Sequence, residues 1–544
     1  MTNSIKDIET SDCMLLTGTN TTENHPVISL GVKRAKKSGA KLIVIDPRVI
    51  DLVELADVFL QPKPGTDVAW INGMMNVIIS EGLHNEKYVA ERTEDFDKLR
   101  KAVEKYTPER VEKITGIPAD DLRKAARIYA TAPKASILYA MGITQHTTGT
   151  DNVKSLANLA MLCGNVGIEG GGVNPLRGQN NVQGACDMGA LPNVFPGYQP
   201  VSNPEAREKL EKLWGVKLDD KPGLTIGEML EAAHDKKIKA MYIMGENPML
   251  SDPDLTHVEE SLDSLEFLVV QDIFLTETAK KAHVVLPAAA FAEKDGTFTN
   301  TERRVQRLHK AVDPPGRARQ DWEIVCDIAT RMGYSMKYEN PSEIMDEIAK
   351  VTPQYGGLSF SRIEENGLQW PCPTPDHPGT KYLHKDKFSR GKGLFHAIEH
   401  KPPAEEPDKK YPLILTTGRI LYQFHTGSMT RKSRGLETLG GEAFIEINPK
   451  DAAKLNIEDG ETVKVTSRRG SVTVAARLTE RVKEGVVFMP FHFAEAAVNR
   501  LTNPVTDPTA KIPEYKVCAV KVEKLTKEER KKNKENKKQA VAAS

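Results

Sequence analysis

Hydrophobic and polar positions set a regular rhythm along the first third of the chain. Two β-branched runs, CMLLTGT at 13–19 and KLIVI at 41–45, flank an amphipathic stretch, VISLGVKRAKK, that Gly39 stops. Strand, helix and strand in that order predict a parallel α/β sheet. Thr66 and Asp67 are placed to cap a helix through VAWINGMMNVII. Residues 119–130 keep Leu122, Ala126 and Tyr129 at helical spacing, and SILYA at 136–140 followed by NVKSLANLAML at 152–162 predicts a further strand and helix. From Gly164 to Gly189 the periodicity dissolves into glycines and amides, read as a long functional loop without a core. Strands are predicted again at 239–244, 265–271 and 283–287, then a helix from Asp321 to Met332 with Trp322, Val325, Ala329 and Met332 on one face. Residues 337–410, rich in Pro, Gly and charge, read as an irregular crossover rather than a core. From Tyr411 the texture changes to short alternating strands, which predict a separate C-terminal all-β barrel.

Composition narrows the picture. A chain of 544 residues is long enough for several domains, and 75 basic against 75 acidic residues leave no formal net charge. That argues against nucleic acid as a main partner. The six cysteines contain no CxxC pair, so neither a zinc site, an iron–sulfur site nor a disulfide framework is read from them. The first residues carry acids where a signal peptide needs bases, and no apolar run approaches 18 residues. A cytoplasmic chain with no direct membrane insertion is the expectation, which an export signal upstream would override.

The two α/β regions echo one another. Gly18-Thr19-Asn20 ends the first strand and Asp46 follows 28 residues after Gly18; Gly245-Glu246-Asn247 and Asp272 repeat the pattern at 27 residues. Third strands end at Gln61-Pro62 and Leu286-Pro287. In open α/β sheets ligands sit at the carboxyl ends of strands, where glycine allows close backbone approach and an Asp can take two hydrogen bonds from a ribose diol or guanine edge. Two similar nucleotide-like groups are the implied ligands, against the plainer reading of ordinary βα turns. GxGxxG is absent after the first strand, which disfavours an NAD-binding domain. The segmentation that follows is an α/β nucleotide-binding domain over 1–178, a second over 179–340, a crossover over 341–410, the barrel over 411–523 and a basic tail over 524–544. In that tail Lys524 to Lys538 holds eight bases against three acids, read as a solvated, frayed end.

Arg177 stands among Gly178, Gln179, Asn180, Asn181 and Gln183. Its planar guanidinium suits a bidentate grip on a small carboxylate or oxyanion. His146, His25, His425 and His492 are further candidates, each also readable as a histidine beside a core. No Ser/His/Asp or Cys/His arrangement is legible.

The strings TGTNTTENHP, VIDPRVI, KPGTDVAW, MGITQHTTG, PLRGQNNVQGACDMGALP, MGENPMLSD, VVQDIFLTETA and LTTGRILYQFHTGSMTR closely resemble the catalytic subunits of molybdenum or tungsten formate dehydrogenases, molybdopterin oxidoreductases, from the first residues to about 523. The resemblance implies a double-psi-type barrel and a metal held by two molybdopterin guanine dinucleotides. Gly18, Asn20, Glu23, Asp46, Arg48, Gly65 and Asp67 would meet one dinucleotide. Gly245, Asn247, Ser251, Gln271, Asp272 and Asp321 would meet the other. Gly142, Gln145, His146 and Gln179 would line the pterins, while Thr417, Arg419, His425, Ser428, Thr430, Asn499 and Lys516 would close over them from the barrel. Arg177 matches the arginine that orients formate for oxidation to CO2, with electrons leaving through a 4Fe–4S cluster to an iron–sulfur subunit. The family's four-cysteine segment and its metal-ligating cysteine or selenocysteine are expected upstream, outside this sequence, so no metal ligand is assigned here. Cys186 resembles a structural loop residue and Cys163 a small hydrophobe on a helix. The polypeptide alone is expected to be inactive. It is read either as the portion after a selenocysteine codon taken for a stop, or as one half of a natural split. A metal-free scaffold subunit of an electron-transfer complex and another molybdopterin oxidoreductase are the alternatives.

Overall fold

The computed structural model describes residues 1–529. Two compact units interleave along the chain. One comprises Met1–Thr10, Val166–Met249 and Val258–Ser389; the other comprises Ser11–Asn165, Leu250–His257 and the chain from Arg390 on.

In the second of these, parallel strands lie in the spatial order Val58–Leu60, Lys41–Ile45, Cys13–Thr17, Ala135–Tyr139. Every residue of Cys13–Thr17 and of Ala135–Tyr139 is buried, as expected of strands covered on both faces by helices. The helices Pro26–Lys37, Asp67–Ser80, Ala119–Thr131 and Gly149–Leu162 stand where the periodicity predicts them. Leu122, Ala126 and Tyr129 are all buried. Thr66 is the N-cap position, but its hydroxyl donates to Lys63 O at 2.7 Å instead of capping the helix.

The same unit carries a closed barrel in the order Leu413–Gly418, Val486–Pro490, Phe444–Ile447, Ser471–Leu478, Thr462–Thr466, Cys518–Lys524. The first pairs in parallel with the second, as does the third with the fourth; the remaining contacts, including the closing one, are antiparallel. Its inward residues, among them Leu415, Ile445, Val463, Val474, Val487 and Val520, form one core. A short helix, Pro449–Leu455, follows the second strand in sequence. The predicted tail lies outside the described residues from position 530 on.

In the other unit, parallel strands Val284–Pro287, Phe267–Asp272 and Ala240–Met244 repeat the third-second-first order of the first sheet. The echo in sequence is therefore an echo in topology. One face packs on Leu230, Val258, Leu262 and Ala279.

Three expectations are corrected here. The stretch 164–189 is not all loop: it contains the strand Val173–Pro175 and the helix Val182–Asp187, with Gln183 and Asp187 buried. The helix Asp321–Arg331 buries Ile324, while Val325 and Met332 are exposed, because its neighbours sit on the face next to the predicted stripe. Residues 337–410 include the helix Pro341–Val351 and a core of Met345, Tyr355, Leu358, Ile363 and Cys372 against Val305. Prolines there mark helix starts and turns rather than the absence of a core. Among the described residues, no helix is long and apolar enough to cross a membrane.

Candidate functional site

In the unit that contains the barrel, the site begins where the strand Cys13–Thr17 ends. Gly18 turns out of the strand at φ +55°, and its carbonyl accepts the Gly142 N–H at 3.0 Å. A Cβ on Gly18 would lie 2.7 Å from the Gly142 carbonyl carbon, and one on Gly142 would lie 2.6 Å from the Gly18 Cα. Only glycine fits at either position.

In the residues that follow, several side-chain atoms find no partner in the chain. Thr19 Oγ1, Asn20 Nδ2, Thr21 Oγ1, Glu23 Oε2 and Asn24 Oδ1 are buried without a hydrogen-bond partner. Asn20 Oδ1 accepts from Thr22 Oγ1 at 2.7 Å, and its Nδ2 lies on the side away from Thr22. A buried polar atom left unpaired costs roughly 1–3 kcal/mol. Such a run marks a place built for a polar ligand.

Two carboxyls border it. Asp46 Oδ1 accepts the Arg48 N–H at 2.9 Å, and burial pushes the Asp46 carboxyl up to about 6. Asp67, at the start of its helix just after the Gly65 turn (φ +80°), accepts from Trp70 Nε1 at 3.2 Å and is also raised to about 6 by burial. His146 Nε2 donates to Gly142 O at 2.9 Å and lies 3.8 Å from Asp67 Oδ2. Burial holds the imidazole below its ordinary range, and Nδ1 has no partner. Gln145 closes the short helix Met141–Thr144 beside it.

The barrel supplies cations. Lys516 is 8% exposed and donates to Thr417 O at 2.8 Å; burial, aided by Arg419, holds its ammonium down to about 7. Burial alone lowers Arg419 to about 10, and burial with Arg419 and Lys516 nearby lowers His425 to about 4. Phe491 gathers all three: its ring centre lies 6.0 Å from both Arg419 and Lys516 and 5.6 Å from the His425 ring. Desolvated cations of this kind suit a phosphorylated ligand.

Other expected residues also have partners within the fold. Arg48 gives Nε and Nη2 to Glu446 at 2.6 and 2.7 Å and stacks 4.3 Å above Phe488, leaving Nη1 at 4.0 Å from Glu23. Thr430 Oγ1 donates to Gln423 Oε1 at 2.6 Å and accepts the Phe424 N–H at 3.1 Å, so its hydroxyl serves its own loop. Ser428 Oγ pairs with Thr426 Oγ1. Asn499 Nδ2 donates to the carbonyls of Leu250 and Ser251 at 2.8 and 3.1 Å, bracing the backbone at Ser251. His492 is structural: Nε2 accepts the Ile420 N–H at 3.0 Å, Nδ1 donates to His425 O, and burial keeps the ring neutral.

In the other unit, Gly245 leaves its strand at φ +63°. Asn247 Oδ1 accepts from the Thr278 N–H and Oγ1 at 3.1 and 2.7 Å, while Nδ2 donates to Glu277 at 2.9 Å. Gln271 Nε2 donates to Asp321 Oδ1 at 2.7 Å, its Oε1 accepts from Tyr242, and Lys294 pairs with Asp321. Asp272 Oδ1 accepts the Phe274 N–H at 2.9 Å, and burial raises its carboxyl. Arg177 and Gln179 precede the helix Val182–Asp187; Arg177 N–H donates to Thr301 Oγ1 at 3.0 Å and Nε to Gln183 Oε1 at 3.2 Å. Phe491, Glu446, Gln183 and Asp187 were not singled out by sequence reasoning as site residues. Phe491 could have been found from its place beside His492.

Comparison with known proteins gives this arrangement a family. The profile of the family described as Molybdopterin oxidoreductase matches residues 1–331, and that of the Molydopterin dinucleotide binding domain matches residues 413–519. The F420-dependent formate dehydrogenase subunit alpha of Methanocaldococcus jannaschii is 56% identical over 529 residues, covering 96% of this chain and 78% of the relative. Formate dehydrogenase H of Escherichia coli is 43% identical over 532 residues, covering 96% and 74%. Acetylene hydratase from Pelobacter acetylenicus shares the fold, with a TM-score of 0.73 at 21% identity over 96% of this chain and 81% of that structure. The chain belongs to the molybdopterin oxidoreductases and, within them, to the formate dehydrogenase alpha subunits. The group its family implies is a molybdopterin cofactor with molybdenum or tungsten. The buried, unpartnered atoms after Gly18 and the cations around Phe491 fit such a group.

Proposed function

We propose that this chain is the catalytic-subunit portion of a formate dehydrogenase that converts formate to CO2, two electrons and a proton at a centre held by two molybdopterin guanine dinucleotides. The observation that carries the reading is the match to formate dehydrogenases across 96% of the chain. One dinucleotide is taken by Gly18, Asn20, Glu23, Asp46, Arg48, Gly65 and Asp67, the other by Gly245, Asn247, Ser251, Gln271, Asp272 and Asp321. Gly142, Gln145, His146 and Gln179 contact the pterins. Thr417, Arg419, His425, Ser428, Thr430, Asn499 and Lys516 contact them from the barrel.

When bound, the metal–pterin group supplies the two-electron acceptor for cleavage of the formate C–H bond. Arg177 binds the substrate carboxylate through paired N–H donors and so aims that bond. Formate carries a negative charge and CO2 none, so the arginine holds substrate more strongly than product, which favours release. Asn20 Nδ2, the threonine hydroxyls beside it and Lys516 donate to the cofactor's polar groups. A 4Fe–4S centre in the complete enzyme would supply the route for the electrons to an iron–sulfur partner subunit.

The test is formate-dependent reduction of an artificial dye by the complete holoenzyme, together with its nucleotide content. Two guanine nucleotides per chain and a loss of about 2–4 kcal/mol in kcat/KM on Arg177→Lys are expected, because lysine keeps the charge and loses the planar fork. Unchanged turnover in that variant removes Arg177 from the site. Matured protein without pterin would mean a scaffold.

A further inference from the structure

The helix Val182–Asp187 carries two buried polar side chains one turn apart, Gln183 and Asp187, and neither has a role in the reading above. Asp187 has no exposed surface, yet its carboxylate meets four neutral donors. Oδ1 accepts from Gln183 Nε2 and Tyr198 OH, both at 2.8 Å; Oδ2 accepts from Tyr355 OH and Trp370 Nε1, both at 2.7 Å. A buried carboxylate with both oxygens doubly satisfied is a rigid anchor.

That anchor decides which way Gln183 faces. Its two amide hydrogens go to Asp187 Oδ1 and to Tyr198 OH, the latter at 3.0 Å. Oε1 is thereby presented to Arg177 Nε at 3.2 Å. The flipped amide would set oxygen against a carboxylate and N–H against N–H, so the network permits a single orientation. Gln183 Oε1 thus holds the guanidinium at Nε, with Nη1 4.0 Å from Cys186 Sγ, while the Arg177 backbone N–H on Thr301 Oγ1 fixes the main chain beneath it.

We propose that Gln183 and Asp187 are positioning residues for substrate binding: Asp187 orients the Gln183 amide, and Gln183 sets the plane of the Arg177 guanidinium for capture of formate. The inference rests on the reading of Arg177 as the formate-binding residue, and the test separates the two.

In the complete holoenzyme, Gln183→Met removes the acceptor at nearly constant volume. Formate KM is expected to rise tenfold or more while kcat falls less than threefold, with pterin content unchanged. Tyr198→Phe, at a partly exposed position, withdraws one partner each from Gln183 and Asp187, and should raise KM two- to fivefold. In an Arg177→Lys background, Gln183→Met should add nothing, since it acts through the guanidinium. A formate KM within twofold of wild type in both Gln183→Met and Tyr198→Phe overturns the proposal. So does an equal Gln183→Met effect with and without Arg177, which marks a purely structural role. If Gln183→Met fails to fold, the Tyr198→Phe value and its dependence on the Arg177→Lys background decide. Arg177→Lys without effect on formate turnover defeats the underlying reading instead.

Discussion

Lys516 shows how much the candidate site costs the fold at the scale of one residue. Burial, with Arg419 adding, holds its ammonium down to about 7, against about 10.5 in an unfolded chain. Between those values the unfolded chain binds a proton that the folded chain does not, so this group makes stability rise with pH across the window. The contribution is fully present above 10.5 and is lost as pH falls through 7. In cofactor-free chain, Lys516→Met should therefore raise Tm most at pH 6–7, with the gain shrinking toward pH 10; melts across that range check it, and a pH-independent difference would refute it. The same variant should reduce pterin retention, because a desolvated cation gains from an anionic ligand. Asp46 and Asp67, both raised to about 6, work in the opposite direction. Their unfolded carboxyls ionise near 4 while the folded ones do not, so stability present below that value is lost as pH rises through 6. Sequence placed all three residues as candidates by resemblance; their charge states follow from burial, which no local string records.

Elements meet through a few long-range contacts, and the pair Arg48–Glu446 is the clearest. The two residues are 398 apart in sequence, nearly wholly buried, and joined bidentately. Arg48 follows the strand Lys41–Ile45 and Glu446 lies in a barrel strand, so the pair fastens the parallel sheet's loop to the barrel within one unit. Arg48→Met alone leaves Glu446 buried and uncompensated, at a cost of about 3–5 kcal/mol, whereas Arg48→Met with Glu446→Met should lie close to wild type. Denaturant titration of the two variants distinguishes this from a pair that contributes nothing. The turn at Gly18 is the second element-scale test. Gly18→Ala would bring a Cβ to 2.7 Å of the Gly142 carbonyl carbon at a positive φ, and neither backbone has a flexible end to yield. A loss of about 1–3 kcal/mol is expected, together with weaker cofactor retention. Gly18 was legible as a strand-end glycine; its contact with Gly142 was not, since the two strands become neighbours only in the sheet.

Across the whole molecule, cofactor loading is expected to be a large term. The polar atoms left unpaired after Gly18 gain partners from a bound cofactor, so pterin-loaded protein should melt several degrees above cofactor-free protein, and removal of the cofactor should reverse the shift. Calorimetry on matched samples checks this; equal melting temperatures would mean the cluster does not face the cofactor. The sequence by itself determined what depends on period and local composition. The strand–helix alternation, the 28- and 27-residue echo, the barrel strands and the glycine turns all arise from contacts within a few residues or from a repeat, and each is found in the structure. Only the tertiary structure decided which face of Asp321–Arg331 is covered, that residues 341–372 pack a core, that Glu446 rather than a ligand takes Arg48 Nε, and that Asp187 anchors Gln183. Those outcomes depend on partners far away in the chain, and the energy of a buried charge or amide is set by what surrounds it in space.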